Sequence, residues 1–507
     1  MSIEADLAEL KARLQEIDDL QSTNSVLGWD QAVYMPPGGA AARGRQSALL
    51  SRLSHERMTD PAVGRLLDAL TAWAAGLDPD SDEASLIRVT RRDHDRATRV
   101  PSAFVQRVSA HLAASYHAWE RARPANDFAS VRPFLETTVA LSREYAGYYE
   151  GFNPAYTHPF DALIDLAEEG MTVASVRALF DELRAGLVPL LAQIRTRPEI
   201  DDGCLKGDFP EDAQRTFGET VIRAYGYDFT RGRQDKTAHP FMTKLGLGDV
   251  RITTRFKSDD LSEGLFSTLH EAGHAMYEQG VAVELDGTPL FSGATSGVHE
   301  SQSRLWENLV GRSRPFWRHY YGALQSAFPA QLMGVDDETF YRAINRVSPS
   351  LIRTDADEVT YNLHIMLRFD LELALLDGSL AVADLPEAWR ERMRSDLGVV
   401  PADDSDGALQ DVHWFGGLVG GAFQSYTLGN IMSAQFFAAA RRDLPDLDGS
   451  IAAGSFGELR SWLTAHVYRH GRKFTAPEIV TRACGQPMSI APYMAYLHAK
   501  YGALYGL

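Results

Sequence analysis

The chain has 507 residues, 45% of them hydrophobic and 23% charged, an ordinary globular composition with enough length for one large core or several smaller ones. Its formal net charge of -18 is spread along the sequence, which favours solubility and argues against nucleic acid as a partner. No stretch approaches the roughly 18 consecutive apolar residues that cross a bilayer, the first residues show no apolar export signal, and Cys204 and Cys484 are too few for a disulfide framework. A soluble, reducing, cytoplasmic setting without membrane contact is therefore expected.

In the first twenty residues Ile3, Leu7, Leu10, Leu14 and Ile17 recur at spacings of four and three, the apolar stripe of a helix. Such a stripe would suit a coiled coil with a partner chain, but fewer than three heptads favour an antiparallel hairpin within the chain. Residues 1–75 read as an N-terminal helical region. Helical periodicity with polar starts and glycine stops returns in SVRALFDELRAGLVPLLAQI, VDDETFYRAINRV, ADLPEAWRERMRSDLG and FGELRSWLTAHVYRHG, so the fold is expected to be mainly α. AGLDPDSDEA near residue 80 and VVPADDSDGA near residue 403 read as loops, but composition does not shift across them, and a single domain over 1–507 is expected.

One segment breaks the helical pattern. In GDVRITTRFKS, Val250, Ile252, Thr254 and Phe256 alternate with Arg251, Thr253, Arg255 and Lys257, the period of two of a strand with one apolar face. The charged face predicts an exposed edge strand, placed to hold an extended peptide by backbone hydrogen bonds. Arg251 on that face reads as structural or as a wall charge.

Just downstream, LFSTLHEAGHAMYEQG predicts a helix that begins near Asp260 and Glu263 as a capping box, buries Leu261, Leu265, Phe266 and Leu269, and stops at Gly280. His270 and His274, four apart, share one face and can reach one ion. Glu271 is turned from His270 by about 100°, beside that ion instead of on it, where a general base for activated water belongs. Gly273 costs about 1 kcal/mol relative to alanine in a helix, which close approach by a neighbouring backbone would explain. A catalytic zinc keeps three protein ligands and one open position. The third candidate is Glu300 in VHESQSRLWENLVGRSRPFW, 26 residues beyond His274 at the start of a second helix, and spacing leaves its neighbour His299 open as an alternative.

With LGWDQAVYMPPGGAAARGRQ (27–46), HPF (239–241), DVRIT (249–253), HESQ (299–302), IRTDADEVTYNLHI (352–365) and GALQDVHW (407–414) in order around HEAGH, the sequence resembles the M32 metallocarboxypeptidases, typified by carboxypeptidase Taq. The resemblance implies a mainly α, zincin-like fold with a long groove and a small β-sheet beside the HExxH helix. It also implies a homodimer that removes single residues from peptides with a free C-terminus. It selects Glu300 over His299 as the third ligand. It offers Arg353 for the substrate's carboxylate, which a guanidinium fork suits, where the sequence alone allows an ion pair with Asp355 or Asp357. His413 and Tyr426 become donors to the scissile carbonyl or the terminal carboxylate, with Asp411 orienting His413 or capping a helix. A second HPF stands at 158–160, but the later copy directly precedes DVRIT and makes His239 the substrate-binding candidate. The cofactor expected is one divalent metal per chain, Zn2+ before Co2+ or Mn2+.

Two other functions share these residues. A metal-dependent oligoendopeptidase would cut internally and tolerate a C-terminal amide. A noncatalytic peptide-binding metalloprotein would leave Glu271 without a role, and a structural zinc is normally closed by four protein ligands.

Overall fold

The N-terminal stripe extends into a helix far longer than the first twenty residues and stops only where Pro36 and Pro37 remove donors from the next turn. In the computed structural model, which describes residues 2–507, it forms α1 (Ile3–Val33), followed by α2 (Ala40–Met58) and α3 (Pro61–Ala74). Arg57 pairs with Glu16 at 2.8 Å, Gln21 bonds Ser54 at 3.3 Å and Asn24 bonds Ser51 at 3.4 Å, so partners descend α2 as α1 ascends. Leu10, Leu14 and Ile17 are buried in one core with Val63, Leu67 and Leu70 of α3. The stripe therefore serves a hairpin within the chain.

Met1–Thr98, Asp201–Ile344 and Ser433–Pro487 form one compact unit, and Arg99–Ile200, Asn345–Met432 and Met488–Leu507 form another. The second unit holds helices joined by loops, with no strand among the described residues. Its helix Val173–Ile194 opens on a capping box between Thr172 and Ser175, and Leu385–Leu397 ends at Gly398 with φ of 69°. The helix Tyr361–Asp377 buries residues on every side, including Arg368 and His364.

The first unit holds a three-stranded sheet of β1 (Gln234–Lys236), β2 (Phe241–Gly246) and β3 (Asp249–Thr254), in the order β1-β3-β2. β1 runs parallel to β3 and β2 antiparallel to it, with an irregularity between Lys244 and Gly246. The alternating segment is thus the central strand and not an edge, a correction to the sequence reading. Its polar face is engaged by protein: Arg251 grips Asp249 with two bonds of 2.8 and 2.7 Å and lies 4.2 Å from the ring centre of Trp29 in α1. Thr253 is fully buried and bonds both the amide and the carbonyl of Phe241. Gln234 ties the sheet to the next helix, donating to Thr254 at 2.7 Å and to Thr268 at 2.8 Å.

Candidate active site

That next helix, Leu261–Gly280, carries HEAGH. Asp260 caps it by accepting from the Ser262 amide at 2.7 Å, while Glu263 turns away to Arg255 and Lys257, so only half of the capping box forms. Leu261, Leu265, Phe266 and Leu269 are all buried. A Cβ on Gly273 would stand 2.6 Å from the Gln302 carbonyl oxygen and 2.7 Å from Ser303 Cα. The close backbone approach anticipated for this glycine comes from the helix Ser296–Arg304, which bears Glu300.

Among the described residues, His270, His274 and Glu300 are the one group of three whose ligand atoms converge, all within 4.8 Å of one another. Nε2 of His270 lies 3.6 Å and Nε2 of His274 3.4 Å from the same Glu300 oxygen, Oε2. The other Glu300 oxygen accepts from Arg304 Nε at 2.7 Å. Two imidazoles and one carboxylate oxygen facing a common point form a donor set that fits a single divalent ion of the zinc type.

The far side of each imidazole fixes which nitrogen faces that point. His270 Nδ1 stands 2.9 Å from a Glu307 oxygen, a group that only accepts, so Nδ1 carries the proton and Nε2 the lone pair. His274 Nδ1 meets His299 Nδ1 at 2.7 Å, and His299 Nε2 meets Glu278 at 2.9 Å. Glu278 can only accept, so His299 Nε2 donates to it, and with His274 Nδ1 donating to His299 Nδ1 the His274 lone pair again stands on Nε2. His299 thus stands behind a candidate ligand and points away from the convergence.

Electrostatics agree with this order. Burial works against charge on Glu300, Glu307 and Glu278, yet Arg304 and His270 hold Glu300 well below the carboxylate range. His270, Arg304 and Arg312 bring Glu307 to about 2, and His299 with Lys244 brings Glu278 to about 2. Burial pushes His274 down to about 4, and His299 and His270 add to that; burial also opposes charge on His270, but Glu300 and Glu307 raise it above the ordinary value. Glu271 is buried, lies outside the converging trio and is pushed up to about 7 by burial, against His270 and with Glu300 and Glu307.

Glu307, Glu278, Arg304 and Arg312 were not singled out in the sequence. Arg304 lies one helical turn beyond Glu300 and was readable by spacing. Glu307 was not, because Leu305–Val310 winds as a π-helical turn, and Pro315 stands in the first turn of the next helix, Arg314–Ala327.

The second unit gathers another set. Arg353 sits in the short turn Arg353–Asp355 and pairs with neither Asp355 nor Asp357: its Nε donates to Asp411 at 2.8 Å and its Nη1 to Tyr361 at 3.2 Å. Asp357 instead accepts from the amides of Val359 and Thr360, in the turn that leads into the following helix. The oxygen of Asp411 that holds Arg353 also accepts from Arg368 Nε at 3.0 Å, and its other oxygen pairs with His413 Nδ1. Burial opposes charge on Asp411, but His413, Arg368 and Arg353 hold it far below the usual range. Phe423 and Tyr426 each lie 5.6 Å from the Arg353 guanidinium. Arg353, His413 and Tyr426 are thus brought together, with Arg368, Tyr361 and Gln410 as members the sequence had not indicated.

His239 is exposed in the bend between β1 and β2. In the earlier HPF copy, His158 Nδ1 accepts from the Phe160 amide at 3.0 Å, closing a local turn. No helix among the described residues is long and apolar enough to cross a membrane.

The family described as Carboxypeptidase Taq (M32) metallopeptidase matches residues 9–501. Thermostable carboxypeptidase 1 of Thermus thermophilus is 44% identical over the full length of both chains, and carboxypeptidase 1 of Bacillus subtilis 35% identical over 97% of each. The crystal structure of an M32 carboxypeptidase from Deinococcus radiodurans is 50% identical and superimposes with a TM-score of 0.96 over 99% of this chain and 100% of that one. A Pyrococcus furiosus carboxypeptidase structure, 34% identical, gives 0.93 over 98% of this chain and 99% of that one. With a family match over nearly its whole length and full-length relatives well above the threshold of chance, the chain belongs to the M32 family of metallopeptidases.

Proposed function

We propose that this metal-dependent carboxypeptidase holds its ion on His270, His274 and Glu300 and uses Glu271 as general base. The observation that carries the reading is the convergence of two imidazole Nε2 atoms and one carboxylate oxygen on a common point, with a buried carboxyl on the same helix left outside that set. When bound, a divalent ion supplies Lewis acidity toward the attacking water and the scissile carbonyl; zinc suits the ligand types best, with cobalt or manganese as alternatives. Glu271 takes the proton of the attacking water and returns it to the leaving amine. Glu307 and His299 keep the ligand imidazoles in the required tautomers. Replacing either by alanine is expected to weaken metal binding by about 10–100-fold, read by competition with a chromophoric chelator.

Arg353 is assigned to the substrate's free carboxylate. Its Nε and Nη1 are held by Asp411 and Tyr361, so the guanidinium is oriented before substrate arrives. His413, fixed through Nδ1 by Asp411, and Tyr426 are assigned as donors to the scissile carbonyl or the terminal carboxylate, and His239 as a further substrate contact. A C-terminal ladder read by mass spectrometry, with and without chelator and on free-acid and amidated peptides, tests this. Single-residue steps that vanish with chelator are expected, with amides cleaved poorly. Arg353→Met should narrow the preference for free acid over amide by roughly 10–100-fold in kcat/KM. An unchanged preference would remove Arg353 from carboxylate binding.

The protein is further proposed to act as a cytoplasmic homodimer, a reading that rests on the family resemblance and on two unbridged cysteines, Cys204 and Cys484. Light scattering on the purified chain tests the dimer.

A further inference from the structure

A cavity of about 620 Å³ in the first unit has no part in the chemistry described so far. It is lined by the last turn of the HEAGH helix with Met276 and Gln279, by Val281 beyond it, by the end of the helix Glu211–Tyr225, and by one face of the helix Gly457–His466. None of His270, Glu271, His274 and Glu300 lines it.

Three arginines, Arg231, Arg460 and Arg469, stand around this cavity against one acid, Asp228. In a chain with 68 acidic and 50 basic residues such an excess is unusual. Among the described residues none of the three has a carboxylate within ion-pair distance. Arg231 donates to the Gln279 carbonyl at 3.1 Å, which satisfies an exposed carbonyl at the helix end, and Arg460 donates to the Gly226 carbonyl at 3.0 Å. Asp228 is engaged by the amide and hydroxyl of Thr230 at 2.9 and 2.7 Å. Gly226, at φ of 110°, ends the helix Glu211–Tyr225 in a left-handed conformation that suits glycine, and Arg460 packs against it. Gln279 holds the opposite wall by accepting from the Asp228 amide at 2.9 Å and donating to the Asp228 carbonyl at 3.0 Å.

The geometry points to a binding site for a small organic dianion, a phosphate monoester or a dicarboxylate with an apolar part, in a cavity that the residues of the peptidase centre do not line. Three arginines and one acid in the lining leave it two basic residues in excess, a charge that a dianion would neutralise with charge-assisted hydrogen bonds. Met276 and Val281 give the apolar portion a wall, and the volume lies in the range of metabolite pockets. The ligand would rest on the final turn of the helix that carries His270 and His274.

The test is calorimetric titration of the metal-loaded full chain with phenyl phosphate and with succinate at low ionic strength, repeated on Arg460→Gln and on Arg460→Gln/Arg469→Gln. One saturable site per chain is expected for at least one probe, with affinity falling by about tenfold for each guanidinium removed. Peptidase activity without ligand should be the same in all three proteins, and their melting temperatures should agree. Preference for phenyl phosphate or for succinate identifies the phosphate or carboxylate source, and either supports the site. Absence of saturable binding by both probes overturns it. So does equal affinity in the wild type and the double variant, which places the dianion elsewhere, including at the metal centre.

Discussion

Glu271→Gln is expected to lower kcat by about 10²–10⁴-fold while leaving one metal ion bound per chain. The side chain is buried and does not belong to the converging trio, so its replacement by an isosteric amide removes no ligand atom. Burial favours the neutral form so strongly that the carboxyl is pushed up to about 7, and Glu300 and Glu307 reinforce this against His270. A base with that affinity for protons suits the task, because it can accept one from water near neutral pH and release it again to the departing amine. The amide cannot do either. Since the native group is held against burial, the neutral variant should melt no lower than the wild type. Metal content by elemental analysis, melting temperature and kcat on a free-acid peptide separate the outcomes. Turnover close to wild type would remove Glu271 from proton transfer, and loss of the metal would move it into the ligand set.

The helix of the two candidate ligands was legible because a four-residue histidine spacing has one structural meaning on a helix, whatever surrounds it. The choice between His299 and Glu300 was not, because adjacent residues point about 100° apart and only the neighbours decide which of them turns toward the two imidazoles. Here Glu278 and His274 claim both nitrogens of His299. The same limit applied to β3. Its charged residues imitated a solvent face, but Arg251 is spent on Asp249 and on Trp29, a residue more than two hundred positions away. Strands as short as β1 give too few alternations to register at all. The two compact units left no trace in composition because each is assembled from three separate stretches, and no linker divides them. In the second unit Asp411 joins Arg353 across 58 positions, so the acids near Arg353 in sequence were the wrong ones.

Gly273→Ala should destabilise the protein by about 1–3 kcal/mol, although alanine is the better helix former by about 1 kcal/mol. The added methyl would meet the Gln302 carbonyl oxygen and Ser303 Cα, and backbone atoms inside a helix cannot swing aside as a side-chain tip would. The helix Ser296–Arg304 must shift as a body, and it carries Glu300, whose Oε2 also accepts from Ser303 Oγ at 3.2 Å. Metal affinity should therefore fall along with stability, since the carboxylate is displaced relative to the two imidazoles. Gly322 supplies the control: it lies within the helix Arg314–Ala327, exposed, and a Cβ there meets nothing within 4 Å. Gly322→Ala should raise stability by up to about 1 kcal/mol and leave metal affinity unchanged. Opposite signs for the same substitution in two helices would be the mark of close helix contact at the active site. If both variants gain stability, the tight approach at Gly273 does not set the position of Glu300.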